Sequence, residues 1–170
     1  VFLKSMPWDD CRGFTLFDRD LIPTIVVNSQ DVERAQVFTL FHELGHLVRR
    51  ESGMCERQSG STGKGRIERW CNRLAAAVLM PTPDLYRAIE ELFQIVRTDY
   101  NWPIEDVLKI GTRFRVSRAV AAIRMQDLGL THGSYYDMHK KALYGHDKRG
   151  FAPVRKGQKR PRRVDWKERQ

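Results

Sequence analysis

One stretch, His42-Glu43-Leu44-Gly45-His46, constrains this chain more than any other. It lies in a run, residues 32 to about 50, where Val37, Leu40, Phe41, Leu44, Leu47 and Val48 recur at three- and four-residue steps. That spacing predicts a helix with one apolar face. Arg49 and Arg50 follow, where positive charge suits the helix dipole. Two side chains four residues apart on a helix are separated by about 40° around its axis, so both imidazoles address one point. The pair suits two ligands of a tetrahedral Zn²⁺. Glu43, beside the first, is placed to act as acid and base on a metal-bound water whose pKa zinc would lower toward neutrality. Gly45 is expected to leave room beside the metal for a substrate backbone. The plainer alternative is a pair of core histidines. Burying two imidazoles and a carboxylate without a metal would desolvate them for no gain.

A site that keeps one position open for water or substrate needs a third protein ligand. Glu68 stands twenty-two residues after His46 and is the only acid between Ile67 and Pro83. On so apolar a helix a lone carboxylate is costly unless it meets a cation or a metal. A salt bridge to Arg66, Arg69 or Arg73 would also satisfy it. Cys71, one turn along, is a rival ligand through its thiolate, and Glu51 and Glu56 offer further acids.

Around this centre the elements are short. Residues 13–17 (GFTLF) and 23–28 (PTIVVN) read as strands, and residues 28–31 (NSQD) supply turn and cap residues. Residues 51–65 are a loop by composition. Helices are predicted at about 66–80, 83–98, 104–113 and 117–128, the first ended by Pro81. There is no internal repeat. The predicted fold class is α+β: a small N-terminal strand pair or sheet packed on a mainly helical domain, with a helix-turn-helix-like segment after it. The expected division is a core over 1–100, a helical extension packed on it over 101–147, and a tail over 148–170.

Length and composition narrow the function classes. A chain of 170 residues with 41% apolar content suits one globular domain, or one with a short appendage. Its longest purely apolar run, residues 74–80, is far too short to span a membrane. The three cysteines, Cys11, Cys55 and Cys71, are widely spaced, which argues against a disulfide framework and for a reducing cytoplasm. The net charge of +9 is concentrated in residues 148–170, which hold ten Lys or Arg against two acids; the remainder is nearly neutral. The tail reads as a solvated basic arm, and it is also an electrostatic candidate for DNA.

The 104–130 segment places a basic helix after a Val116-Ser117 turn, as in a helix-turn-helix. Arg113, Arg115, Arg118 and Arg124 would then be the groups that meet phosphates or bases. A helical pair packed on the core is the reading the sequence favours. His132, Tyr135, Tyr136, His139 and His146 are candidates to donate a hydrogen bond to a tetrahedral oxyanion, each also explicable as structural.

RAQVFTLFHELGHLV, a loop, then ERWCNRLAAAVLMP resembles the ImmA/IrrE family of zinc metallopeptidases. GFTLFDRDLIPTIVVNS upstream and RFRVSRAVAAIRMQDLGL downstream are similar to it as well, so the likeness spans roughly residues 11–130. The resemblance implies a zincin-like domain with zinc on His42, His46 and Glu68 and with Glu43 as catalytic acid and base. Asn72 takes the family's Asn position and Leu79-Met80-Pro81 its closing motif. Cys71 replaces a residue that is usually small, and Leu74 one that is commonly aromatic. The family's habit of cleaving a partner transcriptional repressor implies a role in stress response or transcription regulation. A second reading, from a different class, is a DNA- or repressor-binding module with a structural or vestigial metal site. An intact Glu43 favours the enzyme, because a structural site has no use for a carboxylate beside a metal-bound water.

Overall fold

The structure, a computed structural model, describes residues 1–5, 11–18, 20, 22–50, 53–54, 63–94 and 100–145. The basic tail 148–170, His146, Cys55, and the alternative acids Glu51 and Glu56 lie outside the described residues.

Among the described residues four strands form one sheet. They are β1 (Phe2–Lys4), β2 (Gly13–Leu16), β3 (Thr24–Asn28) and β4 (Gly53–Met54), in the order β1-β3-β2-β4. β3 runs parallel to β1 and antiparallel to β2, with Thr15 opposite Ile25; β2 pairs antiparallel with β4. β3 is the apolar, β-branched run TIVVN, and Ile25, Val26, Val27 and Asn28 are all buried. Such a continuous run suits a strand covered on both faces. β2 alternates instead. Gly13 and Thr15 are buried, while Phe14 is half-buried and Leu16 exposed. The period of two therefore sends Gly13 and Thr15 to one face. Sequence patterning anticipated the two middle strands. It missed β1, a three-residue exposed edge, and β4, two residues inside the predicted loop.

Among the described residues six helices follow or intervene: α1 (Glu33–Val48), α2 (Gly63–Leu79), α3 (Thr82–Phe93), α4 (Ile104–Arg113), α5 (Arg118–Asp127) and α6 (Tyr135–Gly145). α1 packs on β2 and β3 on one side and on α2 on another. α2 begins three residues earlier than predicted. α3 stops at Phe93 rather than near residue 98, because Gln94 turns into the left-handed region at φ 50° and its N–H closes on the Glu90 carbonyl. The cap of α1 also differs from expectation. Val32 holds the cap position, and Asp31 accepts from the Val32 N–H through Oδ1. α6 carries no regular apolar repeat and was not foreseen.

The main core lies among α2 to α6. Ala76, Met80, Leu85, Trp102, Val107, Ile110, Met125 and Leu143 are buried there together. α5 belongs to that core: Arg118, Ala119, Val120, Ala121, Ala122 and Met125 are all buried. A recognition helix must present its side chains to a groove, whereas this one is inside the protein. Arg124 donates through Nε to the Met80 carbonyl at 2.9 Å and through Nη2 to Thr82 Oγ1 at 2.8 Å, tying α5 to the end of α2. Arg113 lies 3.4 Å from Glu91. The helix-turn-helix-like pair is a packing unit here.

Candidate metal centre

α1 buries a polar stripe. Thr39, His42, Glu43, Gly45 and His46 are its buried residues, while Val37, Leu44 and Val48 of the predicted apolar face are 43%, 39% and 64% exposed. The sheet and α2 therefore receive the histidines and the glutamate, while Leu40, Phe41 and Leu47 are only half-buried. Gly45 makes the close approach to α2 feasible. A Cβ there would lie 3.0 Å from Cys71 Sγ, 3.2 Å from Cys71 Cβ and 3.3 Å from Cys71 Cα. The space beside Gly45 belongs to α2 and not, as the sequence suggested, to a substrate.

This crossing brings Glu68 to the two histidines. His42 Nε2 is 3.1 Å from Glu68 Oε2, His46 Nε2 is 3.4 Å from Glu68 Oε1, and the two Nε2 atoms are 3.3 Å apart. The ligand atoms of His42, His46 and Glu68 all lie within 4.8 Å of one another, a trio that can hold a metal ion. Among the described residues it is the one such cluster, and Cys71 is not part of it. Of the arginine alternatives for Glu68, Arg73 pairs with Asp127 at 2.8 Å instead. Asn72, on the next turn of α2, sets His42. Its Oδ1 lies 2.9 Å from His42 Nδ1, a contact that would hold the Nδ1 proton and turn the Nε2 lone pair toward a bound metal.

Electrostatics match a site built for a cation. Burial opposes the charge on Glu68, yet hydrogen bonds from His42 and His46 prevail and hold its carboxyl down at about 2. Cys71 and then Glu68, hydrogen-bonding its ring, push His46 up to about 10 against the effect of burial. Glu43 behaves oppositely. Burial raises its pKa, against the Thr15 hydrogen bond and the two histidines. Glu43 is fully buried, and its Oε1 has no partner among the described residues. Two imidazole nitrogens, a carboxylate and an adjacent acid with one unclaimed oxygen fit a divalent metal of the kind that imidazole and carboxylate ligands favour.

The oxyanion candidates separate cleanly. Tyr135 donates to the Trp102 carbonyl at 2.6 Å, His139 packs at a tilt of 42° on the Tyr135 ring, and His132 lies 3.0 Å from Ser134 Oγ. Tyr136 differs: it lines a cleft that also contains Phe38 and Asn72, both neighbours of His42. Sequence reasoning missed Thr15, whose hydroxyl meets Glu43. The sequence carried no signal for it: a period of two makes Phe14 and Leu16 the apolar face, whereas the protein buries Gly13 and Thr15.

A buried His-Glu-x-x-His helix crossed by a helix that brings a glutamate defines a metallopeptidase-type domain. Residues 1–126 match the Peptidase M78 family, described as an IrrE N-terminal-like domain, and the chain belongs to that family. No curated protein matches the chain, and no solved structure does.

Proposed function

We propose that the chain is a zinc-dependent endopeptidase that hydrolyses a peptide bond in a partner protein, a DNA-binding transcriptional repressor, and so relieves repression. The observation that carries this reading is the placement of Glu43. It is buried and interacts electrostatically with His42, His46 and Glu68, with one carboxylate oxygen unclaimed among the described residues. Family membership supports the reaction class. The choice of a repressor as substrate rests on the resemblance to ImmA/IrrE peptidases, and the absence of disulfide-type cysteine spacing supports a cytoplasmic setting. No helix among the described residues is long and apolar enough to cross a membrane.

His42, His46 and Glu68 would hold the zinc, with Asn72 orienting His42. Bound there, zinc would lower the pKa of water and polarise the scissile carbonyl. Glu43 accepts a proton from the attacking water as its oxygen bonds to the carbonyl carbon. It then gives that proton to the amine nitrogen as the C–N bond breaks. Burial suits both halves of this cycle, because it brings the carboxyl closer to the pKa of a group that both takes and returns a proton near neutrality.

The test compares zinc-loaded wild type with Glu43→Gln in a cell extract, followed by mass-spectrometric mapping of new protein N-termini. New termini that arise with wild type, fail to arise with the variant and fall in a DNA-binding protein are the expected result. Equal cleavage by both proteins would remove Glu43 from the mechanism. An extract left uncut by wild type would count against the peptidase reading.

A further inference from the structure

β2 meets Glu43 at two points. At Gly13 a Cβ would lie 2.5 Å from Thr39 Cγ2, 2.8 Å from the Val26 carbonyl and 3.5 Å from Glu43 Cγ, so only a bare backbone lets α1 lie this close. Two residues on, and on the same face, Thr15 reaches the Glu43 carboxylate. Its Oγ1 is 2.7 Å from Glu43 Oε2 and 3.0 Å from the Glu43 carbonyl oxygen. Thr15 is 1% exposed and Glu43 0%, so bulk water does not compete for the bond between Thr15 and Oε2.

A threonine hydroxyl has one proton and its position is not fixed, so it can serve either oxygen of Glu43. Both acceptors belong to the same residue, and the hydroxyl therefore holds backbone and side chain of Glu43 in one relation. The contact falls on Oε2 alone, while Oε1 has no partner among the described residues. We propose that Thr15 is the positioning residue for Glu43: it anchors Oε2 on the sheet and leaves Oε1 as the oxygen presented to the reacting water. This role rests on the peptidase reading. It assigns β2 a part in the chemistry: Gly13 leaves room for Thr39 and so lets α1 lie close, and Thr15 aims the head of Glu43.

The test uses zinc-loaded wild type, Thr15→Val, which keeps the shape and removes the hydroxyl, and Thr15→Ser, which keeps the hydroxyl. One readout is independent of activity: the infrared carboxylate stretch of Glu43, identified as the band lost in Glu43→Gln. It is expected to shift in Thr15→Val and to return in Thr15→Ser, with zinc content unchanged in both. The second readout uses a peptide spanning the first cut site found by N-terminal mapping. On it, Thr15→Val should lose about 10²-fold in kcat with KM little changed, the scale expected when a reacting group is misplaced by about 1 Å. Thr15→Ser should recover most of the rate. A Thr15→Val protein that keeps the wild-type band, or the wild-type kcat, overturns the proposal. So does a folded Thr15→Ser protein as slow as Thr15→Val, and this arm decides the matter if the valine variant does not fold. Failure of wild type to cut sinks the peptidase reading instead, and the infrared band still judges the anchor.

Discussion

Glu43 and His46 are three residues apart on one helix and carry opposite perturbations. The glutamate is pushed toward its neutral form by burial, and the histidine toward its charged form by Cys71 and Glu68. For Glu43 the expected consequence is catalytic. Glu43→Gln should retain about one zinc per chain and a native circular-dichroism spectrum while losing about 10²- to 10⁴-fold in cleavage rate, the range for a general acid–base group. For His46 the consequence is a pH dependence of the metal-stripped protein. Its folded pKa of about 10 stands above the ordinary 6.5, so its stabilising share is complete below pH 6.5 and is lost as pH rises through about 10. Glu68, held at about 2 against an ordinary 4.5, contributes fully above pH 4.5 and loses its share as pH falls through about 2. Urea unfolding of chelator-treated protein should therefore show stability falling between pH 6.5 and 10. His46→Gln should flatten that fall, and a parallel decline in the variant would show that His46 is not its source.

At the scale of elements, α1 separates what the sequence makes legible from what it hides. Its existence and the convergence of its two histidines follow from spacing alone. Which face it buries does not. Apolar periodicity points to Val37, Leu40, Phe41, Leu44, Leu47 and Val48, of which three are exposed and three half-buried, while the fully buried side chains are the polar ones that satisfy one another across α2 and β2. A pattern rule weighs each residue's transfer energy singly and is blind to polar partners that arrive from distant segments. Glu68 was readable because a lone acid on an apolar helix demands a partner. Thr15 was not, because one threonine in a strand is unremarkable until Glu43 lies over it. β1 and β4 were too short to carry a period, and α6 had no clear one. The role of Gly45 was misjudged because the nearness of Cys71 is a fact of helix crossing. Gly45→Ala should accordingly cost about 1–3 kcal/mol in chemical denaturation, the usual penalty for overpacking. It should also weaken zinc retention by moving Glu68 away. Wild-type values for both would mean that α2 yields without cost.

Across the whole molecule the metal trio joins two regions of different character. α1 rests on the sheet, whereas α2 runs into the large core shared with α3 to α6. His42 and His46 come from the first and Glu68 from the second, so a bound ion would bridge the sheet-side and helix-side halves. A ligand that binds only the folded state adds about 2.7 kcal/mol of stability when its free concentration is 100 times its Kd. Zinc should thus raise the melting temperature of wild type in proportion to the logarithm of its free concentration, once that concentration exceeds Kd. Glu68→Ala removes the ligand on α2 and keeps both histidines on α1. Its melting temperature should respond weakly to zinc, and the small remaining gain should require a higher metal concentration. The comparison is made by calorimetry in zinc buffers, with His42→Ala as the control for loss of a ligand on α1. If Glu68→Ala gains as much from zinc as wild type does, the two histidines hold the ion without the α2 carboxylate. The ion would then be confined to one helix, and no bridge between the halves would exist.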